Sequence, residues 1–452
     1  MSRRGAVSPA RRVAFEVVRR TFDEGAFADR ALPAAAERAG LDRRDRGQAQ
    51  RLAYGAIERR GTADALIAAL ARRPVAELEP PVLAALRLGL FELLFADATP
   101  DHAAVDQAVE LAKRGGAGRG AGLVNAVLRR AARERATLVA SLDDATPDAA
   151  AIAHSLPAWL AELWWHELGG DDARSLMRAS NEPAETALRV NPLRAELEAT
   201  VAELTALDRV HRAGGPDPLA PGGALVVDGP LPDPILAGLA RGELVGQSRA
   251  SQAVVEVLDP RPGERILDLC AGPGIKTAAI AARLGERGAV VAVEAAPTRA
   301  SQIRELCARL GARTVRVVEG DAAGDDLGAG YDRVLVDPPC SDLGTLAARP
   351  DARWRKSPRT IARLAGLQRR ILAAGASALR PGGTLVYSTC TISVAENEAA
   401  VRDLLDGAGN LEADDLGAAF GPLASSHDHR FLQTRPDRDG TAGFFIARVA
   451  RS

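Results

Sequence analysis

Up to about residue 135 the apolar positions repeat with the period of a helix. Val105, Ala108, Val109 and Ala112 fall on one face, as do Leu123, Val124, Val127 and Leu128. Asp101 precedes the first of these stripes and is expected to cap it. Residues 83–95 are apolar nearly all round, interrupted by Arg87 and Glu92, which predicts a central buried helix. A glycine-rich loop at 115–120, carrying Arg119, joins two helices; it is either a plain connector or a phosphate contact. The helical pattern breaks at 136–150, where Asp143, Asp144, Pro147 and Asp148 gather. Residues 152–242 then mix helix with short strand-like runs at 187–190 and 224–227, among dense proline and glycine (Pro216, Pro218, Pro221, Gly222, Gly223). Trp159, Trp164 and Trp165 near one helix are read as core, with base stacking as the alternative.

From about residue 250 the period changes. Apolar runs at 266–269, 289–293, 315–318, 334–336 and 384–387 alternate with helical stretches that include 277–284 and 298–310, and 443–447 is a late strand. That is the layout of an open, doubly wound α/β sheet, in which ligands bind beyond the carboxyl ends of the strands. The expected division is an all-helical domain over 1–140, a small α+β connecting domain over 150–245, and a Rossmann-like catalytic domain over 246–452.

Composition narrows this picture only a little. The 452 residues are 47% hydrophobic and 26% charged, enough to build sizeable cores and unlike a disordered chain. No run of eighteen apolar residues occurs, so no membrane span is expected. The basic start, residues 1–5, is followed by no apolar signal core, and four cysteines make no disulfide framework; a reducing cytoplasm fits. The net charge of −1 hides an uneven spread. Residues 1–60 carry fourteen arginines against eight acids, and 111–135 carry seven basic residues against Glu134. Such clusters attract RNA phosphates, or they are solvated helix faces, and charge alone leaves the two level.

Candidate chemistry concentrates at the strand ends. The turn after the first strand of the doubly wound region runs Asp268-Leu269-Cys270-Ala271-Gly272-Pro273-Gly274-Ile275-Lys276-Thr277. Its glycines let the backbone pass close to a ligand at the start of a helix. A dinucleotide fingerprint would place a third glycine at Thr277, which speaks against a nicotinamide cofactor. Glu294 ends the second strand, well placed for ribose hydroxyls, and Asp321 follows the third, suited to an adenine amino group. Asp337-Pro338-Pro339-Cys340 follows the fourth; the double proline fixes an extended loop that can pose a base. Cys390 follows the fifth, in Ser388-Thr389-Cys390. A thiolate adding to pyrimidine C6 makes C5 nucleophilic enough to take a methyl group, with Asp337 as partner for a cytosine amidine edge. Each cysteine also has a plain reading as a small buried hydrophobe, the one adopted for Cys307 and Cys270.

These motifs, with Glu396-Asn397-Glu398, Arg349-Pro350-Asp351-Ala352-Arg353-Trp354, Leu364-Ala365-Gly366-Leu367-Gln368 and the closing Asp439-Gly440-Thr441-Ala442-Gly443-Phe444-Phe445, resemble the RNA cytosine-5 methyltransferases of the RsmB/Sun group. The N-terminal helices, notably Leu123-Val124-Asn125-Ala126-Val127-Leu128-Arg129, resemble a NusB-type RNA-binding domain, an arrangement similar to the enzymes that act on 16S rRNA. The resemblance implies a class I methyltransferase fold using S-adenosyl-L-methionine, an RNA substrate (16S rRNA, or else tRNA or another RNA), and a monomer with no membrane partner. It implies Cys390 as nucleophile and Cys340 in product release. For the cofactor it implies Cys270, Ala271, Gly272, Pro273, Gly274, Ile275, Lys276, Glu294, Asp321 and Asp337, with Arg299 a lesser member; no metal is implied. Ile275 stands where the group usually has glycine and is expected to alter the loop, since a β-branched residue avoids left-handed angles. Asp342 also stands at a common glycine, Ala347 and Ala348 at positions often basic, and Glu294 at a frequent aspartate. An exocyclic-amino methyltransferase using the Asp-Pro-Pro loop, and a non-enzymatic RNA-binding assembly factor, are the alternatives.

Overall fold

The computed structural model describes residues 7–96, 99–213, 219 and 224–452. Residues 1–5 and the cluster Pro216, Pro218, Pro221, Gly222 and Gly223 lie outside these. The chain divides into two compact units, Met1–Glu182 with Leu346–Lys356, and Pro183–Thr345 with Ser357–Ser452.

The first unit is helical. In order it holds α1 (Pro9–Asp23), α2 (Ala28–Arg38), α3 (Arg43–Glu58), α4 (Arg60–Ala71), α5 (Pro80–Leu94), α6 (Asp101–Arg114), α7 (Ala121–Arg133) and α8 (Arg135–Ala140), then α9 (Pro147–Ala153), α10 (Ala158–Leu168) and α11 (Gly170–Ala179). The central helix α5 is buried over nearly its whole circumference, as its apolar pattern predicts. Its two charges are accommodated by pairing: Arg87 grips Asp64 through two bonds of 2.7 and 2.8 Å, and Glu92 receives Arg11. Asp101 is not the cap of α6. Pro100 holds that position without a side-chain bond, and Asp101 is the first helical residue, where its charge still favours the helix dipole. Trp164 is fully buried, whereas Trp165 lies partly exposed beneath Arg174.

The two compact units group the chain differently from the expected domain division in two places. Residues 147–182, assigned from sequence largely to the connecting domain, belong to the first unit. So do Leu346–Lys356, a segment expected within the catalytic domain. The anchor is Arg353, fully buried, whose guanidinium donates to Ser155 O, Ser180 O and Asn181 Oδ1 at 2.7–3.2 Å. Trp354 Nε1 donates to Ile57 O (2.8 Å) and Arg355 to Gly25 O (2.9 Å).

The second unit opens with β1 (Ala187–Val190), α12 (Leu197–Thr205), β2 (Val210–Arg212), β3 (Leu225–Val227), α13 (Asp233–Arg241) and β4 (Leu244–Gly246). The four strands form an antiparallel sheet in the order β2-β3-β1-β4, the α+β piece expected there. Next come α14 (Arg249–Leu258), β5 (Arg265–Leu269), α15 (Ile275–Leu284), β6 (Ala289–Glu294), α16 (Pro297–Leu310), β7 (Val315–Glu319) and β8 (Tyr331–Val336). The chain closes with α17 (Pro358–Ala378), β9 (Leu379–Thr389), α18 (Glu398–Gly407), β10 (Leu411–Ala413), α19 (Leu416–Phe420), β11 (Leu432–Gln433), α20 (Pro436–Asp439) and β12 (Phe445–Arg451). The large sheet runs β10-β12-β9-β8-β5-β6-β7, with β11 beside β12. Strands β5 to β9 are parallel, and β12 is antiparallel to β9. Strand order reverses at β5, with β6 on one side and β8 on the other, so the crevice beyond their carboxyl ends is where a ligand is held.

Candidate active site

Beyond β5 the chain turns through Cys270 (φ 62°) and Gly274 (φ 100°) into α15. Gly274 takes the left-handed step and Ile275 is already helical, so the disturbance expected at Ile275 does not arise. Gly272 N–H donates to Glu294 Oε2 (3.2 Å), and a Cβ on Gly272 would strike that carboxylate. Glu294 is buried, takes the Ala296 N–H on Oε1 (2.9 Å) and has Arg299 Nε 3.6 Å away. Lys276 and Asp337, separate candidates in the sequence, are partners: Nζ lies 2.7 Å from Asp337 Oδ2 and 5.1 Å from the Phe444 ring centre. Ala271 is buried and Pro273 exposed. Asp321 lies exposed beyond β7 and takes the Ala323 N–H (2.9 Å) within its own loop.

The neighbouring strands β8 and β9 deliver the two cysteines to one place. Cys340 Sγ lies 3.3 Å from Cys390 Sγ. Asp342 Oδ1 lies 3.3 Å from Cys390 Sγ and 3.9 Å from Cys340 Sγ. Asp342 has φ 59°, a left-handed conformation that aspartate adopts at lower cost than most residues other than glycine.

A buried polar network fixes this geometry. Glu396, fully buried, takes Ser341 N–H (2.9 Å) and Gln368 Nε2 (3.0 Å) on one oxygen and the Ser341 hydroxyl on the other. Gln368 Nε2 also donates to Pro339 O (2.9 Å), so the loop after β8 is tied from both sides. Ser341 and Thr391 share a bond of 2.6 Å, linking the two cysteine loops. Asn397 Nδ2 donates to Thr391 O (3.1 Å), and its Oδ1 accepts from Thr389 (2.6 Å). Gly344 N–H reaches Cys390 O (3.0 Å), while Gly443 N–H reaches Gly344 O (2.7 Å). Glu396, Gln368 and Gly443 stand in motifs quoted from the sequence, yet their positioning role is visible only once the loops are assembled.

The electrostatics favour a protonated resting thiol. Cys390 is pushed well above the usual thiol range, first by its hydrogen bond with Cys340, then by burial and by Asp342 and Asp337. Burial works against the Lys276 ammonium, yet Asp337 outweighs it and holds Lys276 above its ordinary value. Burial lifts Asp268 to about 7, though Thr277 donates to its Oδ2 (2.6 Å). Cys270, pushed by burial to about 12, and buried Cys307, at about 11, are poor nucleophiles, in keeping with their packing role.

The sheet order and the strand-end cluster define a Rossmann-like α/β enzyme domain whose ligand crevice lies beyond the carboxyl ends of the strands. Residues 255–450 match the family described as 16S rRNA methyltransferase RsmB/F, 8–133 the NusB family, and 156–223 the ferredoxin-like domain of RsmF/B-like methyltransferases. The chain is 36% identical to the probable ribosomal RNA small subunit methyltransferase B of Synechocystis over 98% of this chain and 99% of that protein. It is also 36% identical to the ribosomal RNA small subunit methyltransferase B of Thermus thermophilus, over 95% and 94%. The crystal structure of PH0851 superposes with a TM-score of 0.81 at 25% identity, covering 98% of this chain and 99% of that one. A methyltransferase homologue from Pyrococcus horikoshii covers 67% of this chain and 98% of its own, with a TM-score of 0.58 and 27% identity. The chain belongs to the ribosomal RNA small subunit methyltransferase B family and is an RNA methyltransferase. Among the described residues no helix is long and apolar enough to cross a membrane.

Proposed function

We propose that this enzyme forms 5-methylcytosine in 16S rRNA through a covalent adduct between Cys390 and C6 of the target base. The observation that carries the reading is the pair of sulfurs 3.3 Å apart beyond β8 and β9. An exocyclic-amino methyltransferase needs no thiol at that place, and two are held there by a dedicated buried network. Cys390 attacks C6, and Cys340 assists release of the methylated base. Asp337, bonded to Lys276, accepts from the amino group on the amidine edge of cytosine. The target base is extruded from its stack, because C6 is otherwise shielded.

The residues present fit S-adenosyl-L-methionine. Gly272 leaves no room for a side chain beside Glu294, so bare backbone faces the crevice, and carboxylates stand beyond the ends of β6, β7 and β8. Residues 270–276, Glu294, Asp321 and Asp337 would hold the cofactor, which supplies an electrophilic methyl group when bound. The expected basic helical domain (1–140) and connecting domain (150–245) would bind RNA, and the catalytic domain (246–452) would act on it, in a cytoplasmic monomer.

The deciding experiment compares Cys390→Ala with Cys340→Ala on 16S rRNA. The first is expected to abolish adduct and methyl transfer. The second is expected to trap protein on methylated RNA, visible as a denaturant-resistant band. Full activity of Cys390→Ala would sink the covalent route. Bisulfite sequencing of 16S rRNA with and without the gene tests the target, and an unchanged cytosine pattern would remove the rRNA assignment.

A further inference from the structure

Neither Cys340 in product release nor Asp337 at the base edge accounts for how Cys390 becomes a nucleophile. Its environment holds the thiol protonated, yet attack on C6 requires the sulfur to lose that proton. The charged and titratable groups facing it are Cys340 and Asp342 from the loop after β8, Asp337 at the start of that loop, and Lys276 from α15. Asp337 is committed to Lys276 at 2.7 Å. Glu396 and Tyr387 lie behind the loops, Glu396 bonded to Ser341 and Gln368, Tyr387 donating to Glu396 O (2.6 Å). Among the carboxylates of the described residues, Asp342 alone has an oxygen in hydrogen-bonding reach of the Cys390 sulfur, at 3.3 Å. The two sulfurs and the Asp342 carboxylate lie within 4.8 Å of one another.

We propose that Asp342 is the general base for the attacking thiol: its Oδ1 takes the Cys390 proton as the S–C6 bond forms. This rests on the covalent reading above. The electron pair of the C5=C6 bond moves toward C5 and N3, leaving an enamine-like ring, and the proton resides on the Asp342 carboxyl. After methyl transfer the C5 proton passes to solvent as the S–C6 bond breaks and the C5=C6 bond re-forms; the departing thiolate recovers the proton held on Asp342, which returns to its starting carboxylate. In water a carboxylate is a far weaker base than a thiolate, so transfer is concerted with bond formation rather than a prior ionisation. The backbone explains how the group is aimed. With φ 59° the residue points its short side chain back across the loop, and Gly344 and Ser341 on either side are tied to Cys390 O and to Glu396. A glycine at 342 would keep the turn and leave no protein carboxylate at the sulfur.

The test uses Asp342→Asn and Asp342→Gly in the full chain, both of which tolerate the left-handed angle, so that one keeps the fold if the other does not. Single-turnover adduct formation is followed against pH on 16S rRNA carrying 5-fluorocytosine, which blocks loss of the C5 substituent and accumulates the adduct. Both variants are expected to form adduct about 100-fold more slowly near neutral pH, a typical general-base contribution. Their rates are expected to climb with pH as hydroxide ionises the thiol, while wild type stays flatter. Wild-type rate and pH profile in both variants would overturn the assignment while leaving the covalent reading standing. Absence of adduct even in wild type would overturn that reading and this one together. Loss of adduct formation in Cys340→Ala with Asp342 variants unaffected would move the base to Cys340 instead.

Discussion

Gly344→Ala tests how closely the two cysteine loops must be held. No left-handed angle requires glycine at 344, so alanine there acts through its methyl group alone. That Cβ would sit 2.6 Å from the Gly443 carbonyl carbon and 2.8 Å from its Cα, with backbone rather than a yielding side chain in the way. Reaching ordinary carbon contact of about 3.5 Å or more demands a separation of about 1 Å. The strands cannot absorb it without stretching Gly344 N–H to Cys390 O and Gly443 N–H to Gly344 O. Two hydrogen bonds at about 1 kcal/mol each and overpacking of about 1–3 kcal/mol oppose the present geometry by about 3–5 kcal/mol. Because the clash lies in loops, we expect the loop to yield while the sheet persists. A shift of about 1 Å between Asp342 and Cys390 costs about 100-fold in rate. Methyl transfer to 16S rRNA, urea unfolding and calorimetric S-adenosylmethionine binding would be measured together. The expected pattern is a large fall in transfer with cofactor binding retained. A variant within threefold of wild type in transfer would refute the argument.

Other substitutions probe the supports of the site. Lys276→Met leaves Asp337 as an unpaired, partly buried carboxylate. It should lower stability by about 1–3 kcal/mol, discounted for exposure, and move adduct formation to higher pH; an unshifted profile contradicts the pairing. Arg353→Ala removes three donors from buried acceptors and should cost about 3–5 kcal/mol in urea unfolding, with Arg353→Lys recovering part; a loss below about 1 kcal/mol would show that the segment is not anchored there. Asp268 is raised by burial from 3.8 to about 7, so its protonated form favours the fold: that contribution is complete below about pH 4 and lost as pH rises through 7. Half-buried Glu58, also raised to about 7, shares this window, so the readout is the difference between wild type and Asp268→Asn. The variant should lose less stability between pH 4 and 8, and parallel curves would refute the assignment.

Most of the sheet was legible because β5, β6, β8 and β9 are apolar runs closed by turn residues, the signature of parallel strands buried on both faces. The three-residue strands β2 and β10 carry too few positions for a period; they exist through partners distant in sequence. The grouping of 346–356 with the helical unit, rather than with the catalytic domain that surrounds it in sequence, was hidden for a related reason. An arginine flanked by other charges reads as surface, and only carbonyls gathered from residues 155 and 180 make Arg353 a core residue. The cysteines themselves were visible, while their 3.3 Å separation was not, because it depends on β8 and β9 being neighbours. Ile275 leaves the loop undisturbed because the residue that turns left-handed is Gly274, a distinction that composition at 275 does not reveal.

An acidic setting is at first sight a poor place for a nucleophilic thiol, since Asp337 and Asp342 both disfavour its ionised form. The same setting is useful if the reagent is meant to act only on a docked base. A permanently ionised thiolate 3.3 Å from a second sulfur would be exposed to oxidation, whereas a protonated one is nearly inert. An extruded cytosine changes the balance in two ways. It brings an electrophilic carbon to the sulfur, and its amidine edge engages Asp337, drawing off one of the charges that oppose ionisation. Attack and deprotonation then become favourable together, at the moment the substrate is in place. On this account reactivity is conferred by the RNA base rather than stored in the free enzyme. Free Cys390 should therefore react slowly with a neutral alkylating agent at pH 7, and Asp342→Gly should speed that reaction while slowing methyl transfer. Parallel changes in the two rates would break the account, because the carboxylate would then be serving only to hold the loop.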